Sequence, residues 1–161
     1  MKKIFAAVLT VCVLTGCIKK ETGCPPQRDI IAPAQEQQVI ADYLSSNSIT
    51  ATKHSSGLYY QLVQAGSGGS PNNCSAIVIS YTGKLANGSV FDSNNNVAFT
   101  LGGLIEGWKI GLPLIQKGGK IKLYIPPSLG YGASDIKDNN GAVVIPANSM
   151  LIFDISLVDF Q

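Results

Sequence analysis

The chain has 161 residues, enough for one domain and some additional sequence. Apolar residues make up 45% and charged residues only 14%, which gives ample material for a packed core and excludes a globally disordered chain. Against 10 Asp and Glu stand 12 Lys and Arg, and with Lys2 and Lys3 set aside as part of a removable leader the charges balance, so no basic stripe remains for a nucleic-acid backbone.

The chain opens as an export signal. Lys2 and Lys3 form a short positive start, and residues 4–14 are apolar. That stretch is too short to cross a ~30 Å hydrocarbon core, which takes about 20 helical residues. Leu14-Thr15-Gly16-Cys17 follows and resembles a bacterial lipobox. Small residues admit a signal peptidase to the backbone, and the cysteine thiol can carry diacylglycerol. The resemblance implies a signal peptide over 1–16, cleavage before Cys17, and lipid on the new N-terminus; several acyl chains on one residue give stable anchoring. The alternatives are an ordinary signal peptide with a chance cysteine, or a short membrane anchor; position, small residues and cysteine together favour the lipobox. Ile18 stands where many enterobacterial inner-membrane lipoproteins carry aspartate, which points to the outer membrane, facing the periplasm.

Of the four cysteines, Cys12 leaves with the signal and Cys17 takes lipid. Cys24 and Cys74 remain, an even pair in an oxidising compartment. A disulfide and two separate thiols both fit, and the compartment favours the disulfide.

Residues 17–33 read as a polar, proline-containing tether, and 34–56 as a helix and lead-in. Over 34–46 the residues Val39, Ile40, Tyr43 and Leu44 recur at helical spacing, which predicts a packing or spacer helix. From Gly57 the period changes. Residues 58–63 read as a strand, 66–73 as a loop, and 76–85 alternate through Ile77, Ile79 and Tyr81 as a half-buried strand does. Asn87-Gly88 is a hairpin signal. Short strands are expected at 90–91 and 97–101, separated by an Asn-rich loop. Leu104, Ile105, Trp108 and Leu112 share one face of a helix over 104–112. Final strands are expected at 120–125 and 150–158. The 17 glycines and 8 prolines fit this turn-rich order, and the fold class is α+β.

Five motifs fall in one order: Tyr81-Thr82-Gly83; Asn87-Gly88-Ser89-Val90-Phe91-Asp92-Ser93; Leu104-Ile105-Glu106-Gly107-Trp108; Ile125-Pro126-Pro127 with Gly130-Tyr131-Gly132; and Val144-Ile145-Pro146 ahead of Leu151-Ile152-Phe153-Asp154. The set resembles the FKBP-type peptidyl-prolyl isomerases over residues 57–161. The resemblance implies an antiparallel half-barrel sheet wrapped around one short helix, preceded by the N-terminal helix. It implies an apolar pocket floored by Trp108 and walled by Tyr81, Phe91, Phe99, Leu104, Ile105, Tyr131, Ile145 and Phe153. Asp92 would accept a hydrogen bond from the Tyr81 hydroxyl at the rim. Tyr81, Asp92 and Tyr131 are the candidate catalytic residues; Phe91, Phe99, Leu104, Ile105, Trp108, Ile145 and Phe153 are the candidate substrate-binding ones. In the family picture the Ile105 N–H and the Tyr131 hydroxyl hold substrate carbonyls. The implied partners are proline-containing polypeptides, with macrolide FKBP inhibitors as ligands, no cofactor or metal, and a monomeric enzyme.

Three departures stand out. The basic residue often present after the family's rim aspartate is missing, so Asp92 lacks that ionic neighbour. Val97 occupies an aromatic wall position, which predicts a more open pocket on that side. Residues 134–143 form a longer loop than in small family members and are expected to overhang the site. The rival reading is a non-catalytic module or periplasmic chaperone that uses the same pocket to hold proline segments. Hydrolase chemistry is poorly supplied, since the single histidine, His54, precedes the domain. Metal-spaced Cys and His sets and phosphate-loop fingerprints are lacking too.

Overall fold

The computed structural model describes residues 28–161; the export signal, the lipobox and Cys24 lie outside the described residues. The chain runs through helix α1 (Ala34–Ser46), strands β1 (Thr52–Lys53), β2 (Tyr59–Gln64), β3 (Ala76–Leu85) and β4 (Val90–Thr100), helix α2 (Glu106–Gly111), then β5 (Lys120–Ile125), β6 (Ile136–Lys137), β7 (Val143–Ile145) and β8 (Leu151–Phe160). Six strands make one antiparallel sheet in the order β1-β2-β5-β8-β3-β4, and β6 and β7 form a separate hairpin.

The period-2 pattern of β8 assigns its two faces. Leu151, Phe153, Ile155 and Leu157 join the core cluster that contains Trp108, Ile110 and Leu112 from the α2 region. Ile152 points the other way and joins Ile40, Leu44, Tyr124 and Met150 in a second cluster. Thus α2 is covered by one face of the sheet, and α1 covers part of the opposite face. On α1 the predicted apolar stripe is split: Ile40 and Leu44 are buried, Tyr43 meets Tyr124 at a ring separation of 6.3 Å, and Val39 stays exposed.

Helix α2 is shorter than the periodicity predicts. Its 104–112 span resolves into a helix over Glu106–Gly111 between 3₁₀ turns at Leu101–Gly103 and Leu112–Leu114. Pro113 sits in the second turn, where it cannot donate to a continuing helix. Gly107 and Gly111, one turn apart, let α2 lie almost on β5. A Cβ at Gly107 would stand 2.6 Å from Ile125 Cγ2, and one at Gly111 2.6 Å from Leu123 Cδ1. Trp108 and the sheet-facing glycines therefore divide the helix between site and support.

The Asn-rich segment expected as a loop between two short strands is instead the middle of β4. Its residues pair with β3 as Ile79↔Val97, Tyr81↔Asn94, Thr82↔Ser93 and Gly83↔Asp92. The ladder of the neighbouring strand overrides the weak strand propensity of asparagine. The extra residue is absorbed in a bulge opposite Ser80, where Asn96 adopts a left-handed φ of 53° and its N–H donates to Ser80 Oγ at 3.1 Å. β4 is also an outer strand of the sheet. In the 134–143 region the chain folds back on itself, pairing Ile136 with Ile145 and Lys137 with Val143. Asp138 Oδ1 accepts from the N–H groups of Asn140 and Ala142 and closes that turn.

Candidate active site

A cavity of about 280 Å³ opens between α2 and the concave face of the sheet. Its lining is Tyr81, Asp92, Phe99, Gly103, Leu104, Ile105, Trp108, Tyr131 and Phe153. The structure thus brings together eight of the ten residues that the sequence marks as candidates. The other two stand behind the wall. Phe91 meets Phe153 edge-on, with centroids 5.5 Å apart and planes at 87°. Ile145 is buried in the core and paired with Ile136 in the hairpin. Val97 likewise packs against the core and does not line the cavity. Gly103 is the lining residue that sequence reasoning misses, because it contributes backbone and no side chain to recognise.

Trp108 is the structural centre. Its ring makes edge contacts with Tyr81 at 5.1 Å and 76°, with Phe153 at 5.0 Å and 86°, and with Phe99 at 6.5 Å and 78°. Edge-to-face packing of this kind suits the quadrupoles of aromatic rings. Among the described residues the Trp108 Nε1–H is buried without an oxygen or nitrogen acceptor. Gly83 makes the aromatic wall possible, since a Cβ there would stand 2.6 Å from Phe91 Cζ and 2.7 Å from Phe153 Cε1.

The polar groups are few and lie at the rim. Tyr81 Oη donates to Asp92 Oδ2 at 2.6 Å. Burial, followed by the hydrogen bond and charge of Asp92, pushes the Tyr81 phenol well above its ordinary pKa, so it stays protonated and remains a donor. Tyr131 is also pushed up, by burial first and then by the Asp92 charge. It keeps its proton in neutral solution, and its side chain, 40% exposed as a residue, stands at the cavity mouth. Ile105 is the N-cap of α2: its carbonyl accepts from Trp108 and Lys109, while its own N–H donates to no described acceptor. Two residues of the cavity lining, Tyr131 and Ile105, thus keep an unspent donor, a phenol and a backbone amide, beside an aromatic floor.

The cap is braced from ahead of α1, by Arg28, which by sequence falls in the tether but which is bonded to the domain. Glu106, 6% exposed, accepts from Arg28 Nε at 2.8 Å and from Lys109 Nζ at 3.0 Å. Burial raises the Glu106 carboxyl, but the bonds from Lys109 and Arg28 outweigh it and hold the group below the ordinary carboxylate range. His54 lines a different cleft together with Arg28 and Ile110, and its Nδ1 accepts the Ser56 N–H at 3.1 Å.

Comparison with known proteins agrees with this geometry. The family model described as FKBP-type peptidyl-prolyl cis-trans isomerase matches residues 68–158. The FKBP-type peptidyl-prolyl cis-trans isomerase FkpA of Escherichia coli K12 is 45% identical over 111 residues, which are 66% of this chain and 39% of that protein. The chain therefore spans well under half the length of that relative. The crystal structure of FkpA from Escherichia coli superposes with a TM-score of 0.67 at 38% identity, over 80% of this chain and 60% of that one. That of AtFKBP13 gives a TM-score of 0.64 at 33% identity, over 70% of this chain and 99% of that one. Since the matched segment carries four of the six sheet strands, α2 and every residue of the cavity, the chain belongs to the FKBP-type peptidyl-prolyl cis-trans isomerase family.

Proposed function

We propose that this chain catalyses cis–trans rotation about X-Pro bonds in exported polypeptides. The observation that carries the reading is that Tyr131 and Ile105, each with an unspent donor, line one cavity with an aromatic floor at Trp108. Amide rotation faces a barrier of ~18–20 kcal/mol because resonance gives the C–N bond double-bond character. For X-Pro the two isomers differ by only about 0.5–1 kcal/mol, so a catalyst has only to lower the barrier. The twisted amide has lost much of its charge separation, and an apolar cavity favours it over the planar ground state. The proline ring rests on Trp108 while the donors hold flanking carbonyls. Tyr81 and Asp92 fix the rim, and no covalent step is needed.

The test is a protease-coupled isomerisation assay on the full chain with proline peptides, with and without a macrolide FKBP inhibitor. The expected result is inhibitor-sensitive isomerisation that His54→Ala leaves intact. A folded protein that binds proline peptides without accelerating them would instead establish the scaffold reading. A dead His54 variant would point to acid–base chemistry and defeat the mechanism.

The domain acts at a bacterial membrane, facing the periplasm, on a lipid carried by Cys17, with the outer membrane as its seat; the tether ends by about Arg28, since Arg28 bonds to Glu106 and Ala32 is buried in the core. The Leu14-Thr15-Gly16-Cys17 run supports the anchor. No helix among the described residues is long and apolar enough to cross a membrane. Cys24 bonds to Cys74; the disulfide-bonded state of Cys74 supports that pairing. The enzyme works as a single copy, since α1 spends its buried face on its own sheet.

A further inference from the structure

The Tyr131 hydroxyl has no hydrogen-bond partner among the described residues, so its position is inherited from its backbone. That backbone is unusually well held. Gly130 N–H and Gly132 N–H both donate to the Pro127 carbonyl at 2.9 Å, Leu129 N–H donates to Pro126 at 3.0 Å, and the Gly132 carbonyl accepts from Asn148 N–H at 2.8 Å. Tyr131 is thus clamped between two glycines that share one acceptor, and everything depends on where the Pro127–Leu129 turn sits.

Such a turn begins with donors that have no partner inside it. Pro126 and Pro127 have no N–H, so the Ser128 N–H is the first exposed donor. Glu36, in the first turn of α1, reaches it from 92 residues away: Oε2 accepts both the Ser128 N–H at 2.9 Å and the Ser128 hydroxyl at 2.7 Å. Charge-assisted bonds of this geometry are the stronger and more directional kind. Helix α1 is itself fixed to the sheet by Ile40 and Leu44 against Tyr124, Met150 and Ile152. A rigid path therefore runs from the sheet through α1 and Glu36 to the turn that carries Tyr131. α1 lies wholly outside the segment that the family model matches.

We infer that Glu36 is a positioning residue for Tyr131, which makes α1 part of the catalytic unit and not a spacer. The catalytic consequence rests on the isomerase reading; the positioning itself does not. The test is a double-mutant cycle on the full chain, with Glu36→Ala and Tyr131→Phe made singly and together. Glu36→Ala should lower kcat/KM about three- to tenfold, because a misplaced contact group loses transition-state stabilisation. In the Tyr131→Phe background the same change should lower it by less than about twofold, since coupled residues are non-additive. Glu36→Gln, which keeps an acceptor, should restore most of the activity.

Ser128→Ala removes the hydroxyl contact alone and carries the same cycle if Glu36→Ala fails to fold. A readout independent of turnover is the 19F resonance of fluorotyrosine at position 131, assigned with Tyr131→Phe; it should shift or broaden in Glu36→Ala. Equal losses in both backgrounds, or a folded Glu36→Ala with full activity and an unmoved resonance, overturn the inference. A wild-type protein without isomerisation whose resonance still responds to Glu36→Ala refutes the isomerase reading and upholds the positioning.

Discussion

The Tyr81 hydroxyl reaches diagonally across two adjacent strands to Asp92, 2.6 Å away, in a register that sets Tyr81 opposite Asn94 and Asp92 opposite Gly83. The bond fixes a ring that also touches Trp108, Phe99 and Phe153. Asp92→Ala releases that ring without removing a group the reaction consumes. The expected loss of kcat/KM is about tenfold, the scale of one hydrogen bond to a charged group, with the fold intact. Spectroscopic titration of the phenols should show Tyr81 ionising at lower pH in the variant, because both the bond and the charge that raise it are gone.

Glu106 makes stability depend on pH. Its carboxyl is held below the ordinary value in the folded chain, so its contribution is full above the unfolded pKa of about 4.3 and is lost as pH falls through the folded one. Wild-type Tm should drop on acidification below about pH 4, and Glu106→Gln should be less stable at neutral pH yet lose less on acidification. Asp159 is also lowered, by the hydrogen bond from Lys117, but that pair is exposed and should fade in high salt, where the Glu106 effect persists. Thermal melts across pH at two salt concentrations check both.

Gly107→Ala sets two effects of opposite sign against each other. Helix propensity alone favours alanine by about 1 kcal/mol. The new methyl, however, would stand 2.6 Å from Ile125 Cγ2 in the buried core, and overpacking there costs about 1–3 kcal/mol. The variant should melt at lower temperature and lose activity as α2 lifts off β5. A more stable Gly107→Ala would show that the close approach is not required.

Cys17→Ala should abolish fatty-acid labelling and slow processing of the leader. A variant that stayed with membranes after a salt wash and still took up labelled fatty acid would sink the lipobox reading.

Intact-mass measurement of exported protein, alkylated before and after reduction, checks the Cys24–Cys74 bond. The expected result is two thiols that react only after reduction. In the chain-entropy model a loop of this length contributes about 4 kcal/mol, so the reduced protein should melt well below the oxidised one.

Where local chemistry decides, the sequence is a good guide. β3, β5 and α1 lie where period and propensity place them, because their apolar faces are buried by direct neighbours. The Asn-rich middle of β4 reads as loop by composition, yet β3 supplies a ladder that no window over 92–99 contains. Helix α2 is over-read because Leu104 and Leu112 share its apolar face while lying in extended or 3₁₀ backbone. The cavity is legible through its aromatic side chains, and Phe91 and Ile145 are displaced behind it because a spaced motif fixes order along the chain, not depth from a surface. Glu36 and Arg28 are invisible in sequence: each meets its partner only after strands distant in the chain have come together.

The bulge opposite Ser80 bears on how the edge of the sheet would meet an extended chain. β4 is an outer strand, and a straight, regular one would present a continuous row of amides to any extended segment nearby. A client docked in the cavity would then find a second mode of attachment, growing the sheet residue by residue and holding on regardless of where its prolines lie. The left-handed turn at Asn96 breaks that row beside the cavity wall formed by Tyr81 and Phe99. Under the isomerase reading, a polypeptide held in the pocket would then leave without having been drawn into the sheet, and β4 would not serve as a template for aggregation.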